Sequence, residues 1–270
     1  MTEFKQWLAD GNVLAASLWL AKQFDPNVNV NRCLSDIATM AETVLRGVDP
    51  QASEAQRLQQ FHHGFYQDCL FALDRHSRLN AQANLMHCVV TRRCGVPVAL
   101  AILYRHFAQQ CGFDVEGIHF PGHFLLRHQW SEDDIQYIDP LTGNTLSWSE
   151  LETLYQSMLG DDVDELDDDI LCVASAQQMI ERLLHNLKGA YLDADQHEKA
   201  LHAVELLLTL SPDDPYERRD RGYLLHRLTN ARVAMADYRY FIRECPQDPS
   251  AYLLKLQLRH WDALPTPVLH

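Results

Sequence analysis

Apolar residues recur at helical intervals through the first third of the chain. Leu34, Ile37, Ala38, Ala41, Val44 and Leu45 fall near a 3.6-residue period, and β-branched alternation is scarce, so residues 1 to about 90 read as several short helices. The run Val13 to Ala21 is apolar all round and is expected to be a buried helix. Gly95-Val96-Pro97 then breaks the pattern. Val98 to Gln110 resumes as a strongly apolar helix with Pro97 at its first position, where a missing N–H costs nothing, and Cys111-Gly112 ends it. Between Val115 and Ile138 the period shortens. Val115 to Phe120, Phe124 to Arg127 and Ile135 to Ile138 predict a small antiparallel sheet, interrupted by Pro121-Gly122 and by polar residues 131 to 134. Asp139 to Asn144 is a turn by composition, and Ser147 or Ser149 is placed to cap a helix carrying Leu151, Leu154, Tyr155 and Met158.

Beyond residue 170 the chain is helical again, and it repeats. At an offset of 34 residues Ala200 matches Ala234, Val204 matches Tyr238, and Pro212-Asp213-Asp214-Pro215 matches Pro246-Gln247-Asp248-Pro249. Tyr191 and Gly222 occupy further positions that the tetratricopeptide pattern marks as large and small. Two such repeats and a trailing helix, Ser250 to Trp261, fill the remaining length. Arrays of this kind need about three units to cover their apolar faces, so the repeats are expected to lean on the N-terminal domain. Tyr238, Tyr240, Phe241 and Tyr252 lie at helical spacings and are expected to pack between helices.

Composition narrows the classes of function. The chain has 270 residues, 47% of them hydrophobic, and a formal charge of −14, which disfavours nucleic acid and anionic membranes as partners. Seven of the acidic groups (Asp161, Asp162, Asp164, Glu165, Asp167, Asp168, Asp169) crowd into nine residues. This run lacks the glycine and closing glutamate of a calcium loop and reads as a solvated junction at residues 161–170, between a domain at 1–160 and the repeats at 171–270. Seven cysteines without a CxxC pair read as reduced thiols, hence a cytoplasmic protein, and no apolar run is long enough for a membrane span. His62, His63, His76, His87, His119, His123 and His128 are numerous but lack zinc-site spacing, and no phosphate or dinucleotide loop occurs, so neither metal nor cofactor is expected.

Three elements stand in an order suited to thiol-dependent acyl transfer: the helix start at Gly95 to Leu100, then Pro121-Gly122-His123-Phe124, then Tyr137-Ile138-Asp139-Pro140. Such chemistry needs a nucleophile at a helix N-terminus, a histidine to move its proton and a carboxylate to orient the ring. A hairpin register in which residue numbers sum to about 262 sets His123 opposite Asp139 on one face. With Arg92 to Ala101, Phe120 to Leu125, Tyr137 to Pro140 and the two repeats, residues 30 to 270 resemble the bacterial SirB-type family, which joins a transglutaminase-like domain to short tetratricopeptide repeats.

The resemblance implies an α+β, predominantly helical protein: a papain/transglutaminase-like core with a small antiparallel sheet, followed by an α-helical repeat region packed against it. It also implies that His123 and Asp139 hold the superfamily's catalytic histidine and aspartate positions. The nucleophile does not carry over, because Val96, Pro97, Val98 and Ala99 include no cysteine or serine. Cys94 is the nearest thiol, and it precedes the helix cap. Two readings follow: a pseudo-enzyme serving as a protein- or peptide-interaction module, with His123 and Asp139 retained as a structural pair, or a cysteine-dependent amide hydrolase or acyl transferase using Cys94, His123 and Asp139.

Overall fold

Local capping signals set most of the helix boundaries in the computed structural model, which describes residues 1–73, 80–131, 134–160, 166–228 and 231–262. The chain divides into two compact units, Met1–Asn186 and Leu187–His270.

The first unit opens with α1 (Thr2–Ala9), α2 (Val13–Phe24), α3 (Val30–Gly47) and α4 (Glu54–His62). Asn12 and Asn29 cap α2 and α3 by accepting from the N–H groups of Ala15 and Arg32 at 3.1 and 3.0 Å, and Ser53 with Gln56 forms a capping box on α4. Phe4 is buried and stacks on Trp19 at 4.2 Å, which ties α1 to α2. On α3 the buried stripe is Cys33, Ile37, Met40, Ala41 and Val44. Leu34, Ala38 and Leu45, expected on the same face, are exposed. A helical period fits two neighbouring stripes equally well, and which one faces the core depends on where the other helices lie.

α4 runs on through a π-helical turn at His63–Asp68, and a short 3-10 turn, Ala81–Asn84, precedes α5 (Met86–Arg92). The two-residue strands β1 (Ala72–Leu73) and β2 (Cys94–Gly95) pair in parallel, Ala72 with Cys94. Helix α6 (Pro97–Gln110) carries Pro97 at its start and is the most deeply buried helix of the unit, with Val98 to Tyr104, Phe107 and Ala108 all in the core. The expected sheet follows as β3 (Val115–Ile118), β4 (Leu125–Ser131) and β5 (Asp134–Ile138), with a short fourth strand, β6 (Thr145–Leu146), that the polar sequence around it conceals. The order is β3-β4-β5-β6, antiparallel throughout.

Ser147 and Glu150 form a capping box at the start of α7 (Trp148–Leu159), which buries Leu151 and Tyr155. These pack with Ile118 and Leu125 from the sheet, with Phe120 from the segment between β3 and β4 and, unexpectedly, with Leu166 and Leu171 from the acidic segment. Asp161, Asp162, Asp164 and Glu165 lie outside the described residues, as does His76. In the remainder of the run Asp167 and Asp169 are exposed, while the backbone is tied to the first unit: Asp167 caps the 3-10 turn Asp168–Leu171, Val173 bridges to Ile118, and Ala174 N–H donates to Gly117 O at 2.7 Å. Two leucines flanking the aspartates decide this, since each buries a side chain worth roughly 1.5–3 kcal/mol.

The division between units falls within α8 (Ala176–Asp193), after which come α9 (His197–Leu210), α10 (Pro215–Arg227), α11 (Ala231–Glu244) and α12 (Pro249–Asp262). The 34-residue offset is kept in the structure: α9 and α11 begin and end 34 apart, and α10 and α12 both start on an Asp-Pro step. Asp214 accepts from the N–H groups of Tyr216 and Glu217 at 2.8 and 3.2 Å, and Asp248 from that of Ser250 at 2.8 Å. Helices α10 and α11 cross where Gly222 meets the Tyr238 ring; a Cβ at Gly222 would lie 2.8 Å from Cε1. Asp237 is buried and accepts from Arg221 Nε and Nη2 at 2.7 and 2.6 Å, joining the same two helices. Tyr238 and Phe241 are buried as expected, whereas Tyr240 is half-buried, with its hydroxyl donating to Asp213 O, and Tyr252 is 65% exposed on α12.

Candidate functional site

The sheet and α6 set the positions of the three residues singled out by sequence. Leu126 pairs with Ile138 and Arg127 with Tyr137, so the observed register sums to 264 rather than 262. Continued by one pair, it sets Asp139 level with Leu125, two positions beyond His123. The pairing shifts by one residue between Gln129 and Ser131, at the end of the hairpin where its two strands are joined, and that end sets the register. Phe120 to His123 forms a turn, closed by His123 N–H donating to Phe120 O at 3.1 Å with Gly122 at φ +68°, and β4 begins at Leu125. His123 is half-buried in that turn, against which α7 lays Met158, whose Cε is 2.1 Å from where a Gly122 Cβ would sit.

Asp139 begins the turn into β6. Its two carboxylate oxygens accept from Leu141 N–H at 2.9 Å and from the Thr142 hydroxyl at 3.1 Å, while its carbonyl accepts from Thr142 and Gly143 N–H. An aspartate engaged in this way acts as the keystone of an Asx-type turn. Gly143, at φ +75°, completes the turn, and a Cβ there would come within 2.6 Å of Tyr66 Cε2.

Cys94 lies in β2, one residue before Gly95 and two before Val96, the N-cap of α6. Its side chain is half-buried, and the thiol is free, as are the other six. The first turn of α6 presents Pro97, Val98 and Ala99, with Val98 and Ala99 buried.

Beneath the Asp139 turn lies a polar cluster that the sequence reading did not assemble. Tyr66, in the π-helical turn, donates its hydroxyl to Pro140 O at 3.0 Å. The hydroxyl of Tyr104, on α6 and fully buried, is hydrogen-bonded to His62 Nε2 at 2.6 Å, and the His62 ring meets Tyr66 edge-on at 6.0 Å. Burial and the neighbouring His128 push His62 down to about 4, so its imidazole is neutral at pH 7. Burial and the Asp139 carboxylate push the Tyr66 phenol far above its ordinary range, and burial together with Tyr66 does the same to Tyr104. Both phenols therefore keep their protons. His128 is fully buried between Phe113 and Trp130, edge-on to both, with neither ring nitrogen hydrogen-bonded and Glu54 Oε1 at 3.8 Å; burial holds it below its ordinary value against the pull of Glu54, Asp114 and Asp134. The sequence did carry one signal for this cluster. His62 and Tyr66 are four apart, a spacing that puts both on one helical face.

A transglutaminase-like superfamily profile matches residues 31–185, the stretch that holds this sheet, α6 and the polar cluster. The chain belongs to the transglutaminase-like superfamily. A tetratricopeptide-repeat profile matches residues 187–259. A UPF0162 protein of Vibrio cholerae is 32% identical over 246 residues, covering 91% of each chain, and Protein SirB1 of Salmonella typhimurium is 29% identical over 251 residues, covering 93% of this chain and 91% of that one, which places the chain in the bacterial SirB-type group. A crystal structure of menin, described with its binding site for the Mixed Lineage Leukemia (MLL) protein, superposes at a TM-score of 0.40 with 13% identity over 99% of this chain and 84% of that one, a level that does not establish a shared fold. Within this transglutaminase-like unit, Asp139 is joined through its turn to Tyr66, and Tyr66 to His62 and Tyr104. Among the described hydrogen bonds none joins Cys94 to His123 or Asp139.

Proposed function

We propose that the chain is a non-catalytic transglutaminase-like protein, a pseudo-enzyme of the cytoplasm, whose tetratricopeptide unit holds a protein or peptide partner. One observation carries this reading: the first turn of α6 offers Pro97, Val98 and Ala99, and no nucleophile stands where the helix dipole would favour a thiolate. Asp139 fits it too, since both of its carboxylate oxygens accept hydrogen bonds within its own turn, the role expected of a retained structural residue. Repeats of paired helices present grooves suited to extended or helical peptides. The charge of −14 argues against a nucleic-acid partner, and seven free thiols suit a reducing compartment. No described helix is long and apolar enough to cross a membrane.

A second reading, an amide hydrolase or acyl transferase using Cys94, His123 and Asp139, draws on one feature: Cys94 is a half-buried free thiol next to the start of α6. Iodoacetamide labelling at pH 6, read by mass spectrometry, separates the two. The first reading expects Cys94 to react no faster than the exposed Cys172. A rate at least tenfold above that of Cys172, abolished by His123→Ala, would replace it with the second. Peptide-array binding by the full chain, mapped by hydrogen exchange, is expected to protect α8 to α12; an array with no reproducible binder would remove the interaction module.

A further inference from the structure

A cleft of about 590 Å³ opens in the N-terminal helical layer of the first unit, between the loop after α2, the start of α3 and the end of α5. It lies within the size range of small-molecule sites, and none of Cys94, His123 or Asp139 lines it. Its charged lining consists of Asp25, Arg32, Asp36, His87 and Arg93.

Arg93 ends α5 in the left-handed conformation, φ +59° and ψ +20°. Glycine is the ordinary residue at this position, and a longer side chain there is retained against its backbone preference. The guanidinium lies over the Phe71 ring at 5.6 Å, and its Nη1 is buried without an acceptor. Among the described residues no carboxylate lies within ion-pair distance of Arg93. Arg32 and Asp36 stand four apart on α3, the spacing at which helical ion pairs form, yet they do not pair. Asp25 faces His87 Nε2 at 3.6 Å, and burial lowers the affinity of that ring for a proton; its other nitrogen, Nδ1, is buried without a partner. The lining thus carries two arginines and two aspartates with no ion pair among them, Arg32 and Asp36 on its solvent-exposed side, and beside it lie two buried polar atoms, Arg93 Nη1 and His87 Nδ1, without partners.

We propose that this cleft binds a small zwitterion of the amino-acid or dipeptide class, with its carboxylate held by Arg93 and Arg32 and its ammonium by Asp25 and Asp36. Guanidinium recognises carboxylate through parallel N–H donors, and a ligand with both charges satisfies both halves of the lining at once. An anion alone would leave the two aspartates unmatched, and a cation alone would leave the arginines so. Val90 supplies an apolar wall for a ligand side chain.

Isothermal titration of the full chain with L-leucine, Ala-Leu, N-acetyl-Ala-Leu and Ala-Leu amide tests this. Leucine, Ala-Leu or both are expected to bind, which also identifies the length accommodated, and each blocked form is expected to bind at least tenfold more weakly. Arg93→Gly should abolish binding with Tm at or above that of the parent, because glycine suits the left-handed position. Arg93→Lys should retain most of the affinity. Asp25→Asn should bind Ala-Leu no better than its N-acetyl form. No heat with either unblocked probe, equal binding of the blocked forms, or an unchanged Kd in Arg93→Gly would overturn the assignment.

Discussion

Replacing His62 by glutamine keeps a hydrogen-bond partner for the Tyr104 hydroxyl but removes a titrating ring from beneath the Asp139 turn. The parent ring titrates at about 4 in the folded protein against 6.5 as an ordinary histidine. A histidine whose folded value is depressed stabilises the fold fully above pH 6.5, where it is neutral in both states. That contribution is lost as pH falls from 6.5 towards 4, because the unfolded chain takes up a proton that the folded one refuses. The gap between the two values, at about 1.4 kcal/mol per tenfold change in proton affinity, sets the loss at about 3 kcal/mol. Midway through the window the unfolded ring is almost fully protonated and the folded ring almost fully neutral, so the slope approaches one proton, about 1.4 kcal/mol per pH unit. His87, His106, His119 and His128 are also held below their ordinary values by burial and add to the parent's acid sensitivity. The informative quantity is therefore a difference. Urea denaturation of parent and His62→Gln at half-unit steps from pH 4 to 7 should give stability curves that converge as pH falls, the variant losing about 3 kcal/mol less than the parent. Parallel curves would refute the claim that His62 is buried neutral against Tyr104.

Other substitutions probe the remaining contacts. Gly222→Ala drives a methyl against the Tyr238 ring and is expected to destabilise the repeat unit by about 1–3 kcal/mol, read as a lower urea midpoint. Asp237→Ala strips a buried carboxylate from Arg221 and Arg218 and should cost roughly 3 kcal/mol, whereas Arg218→Ala, which removes the more distant partner at 3.6 Å, should cost less than half as much in the same assay. Asp139→Ala loses the hydrogen bonds from Leu141 and Thr142 and should lower stability by about 1–2 kcal/mol, while Asp139→Asn, which keeps an acceptor for Leu141 N–H, should stay within about 1 kcal/mol of the parent; equal losses in thermal denaturation would mean that the charge rather than the turn is what matters.

Much of the architecture was legible because it is written in short-range signals. The proline at the start of α6, the Cys111-Gly112 stop, the Ser147 cap and the Asp-Pro starts of α10 and α12 act within one helical turn, and the 34-residue repeat restates itself in the sequence. The strand runs were equally readable, but the register was not. A hairpin register is set where its two strands are joined, and there the pairing shifts by one residue between Gln129 and Ser131, which residue alternation does not announce. In the acidic segment seven carboxylates dominate the composition, while Leu166 and Leu171 decide where it packs.

The sequence by itself determined the order of elements, the two-part organisation and the absence of a nucleophile at the start of α6, since each depends on residue identity and near-neighbour spacing. Tertiary structure decided which stripe of α3 is buried, that Asp139 serves its own turn, and that His62, Tyr66 and Tyr104 gather beneath it. It also brought Arg93 and Asp25, far apart in the chain, to the walls of one cleft. Those outcomes depend on the packing of elements distant in sequence, where side chains compete for the same buried space and hydrogen bonds, and local periodicity carries no record of that competition.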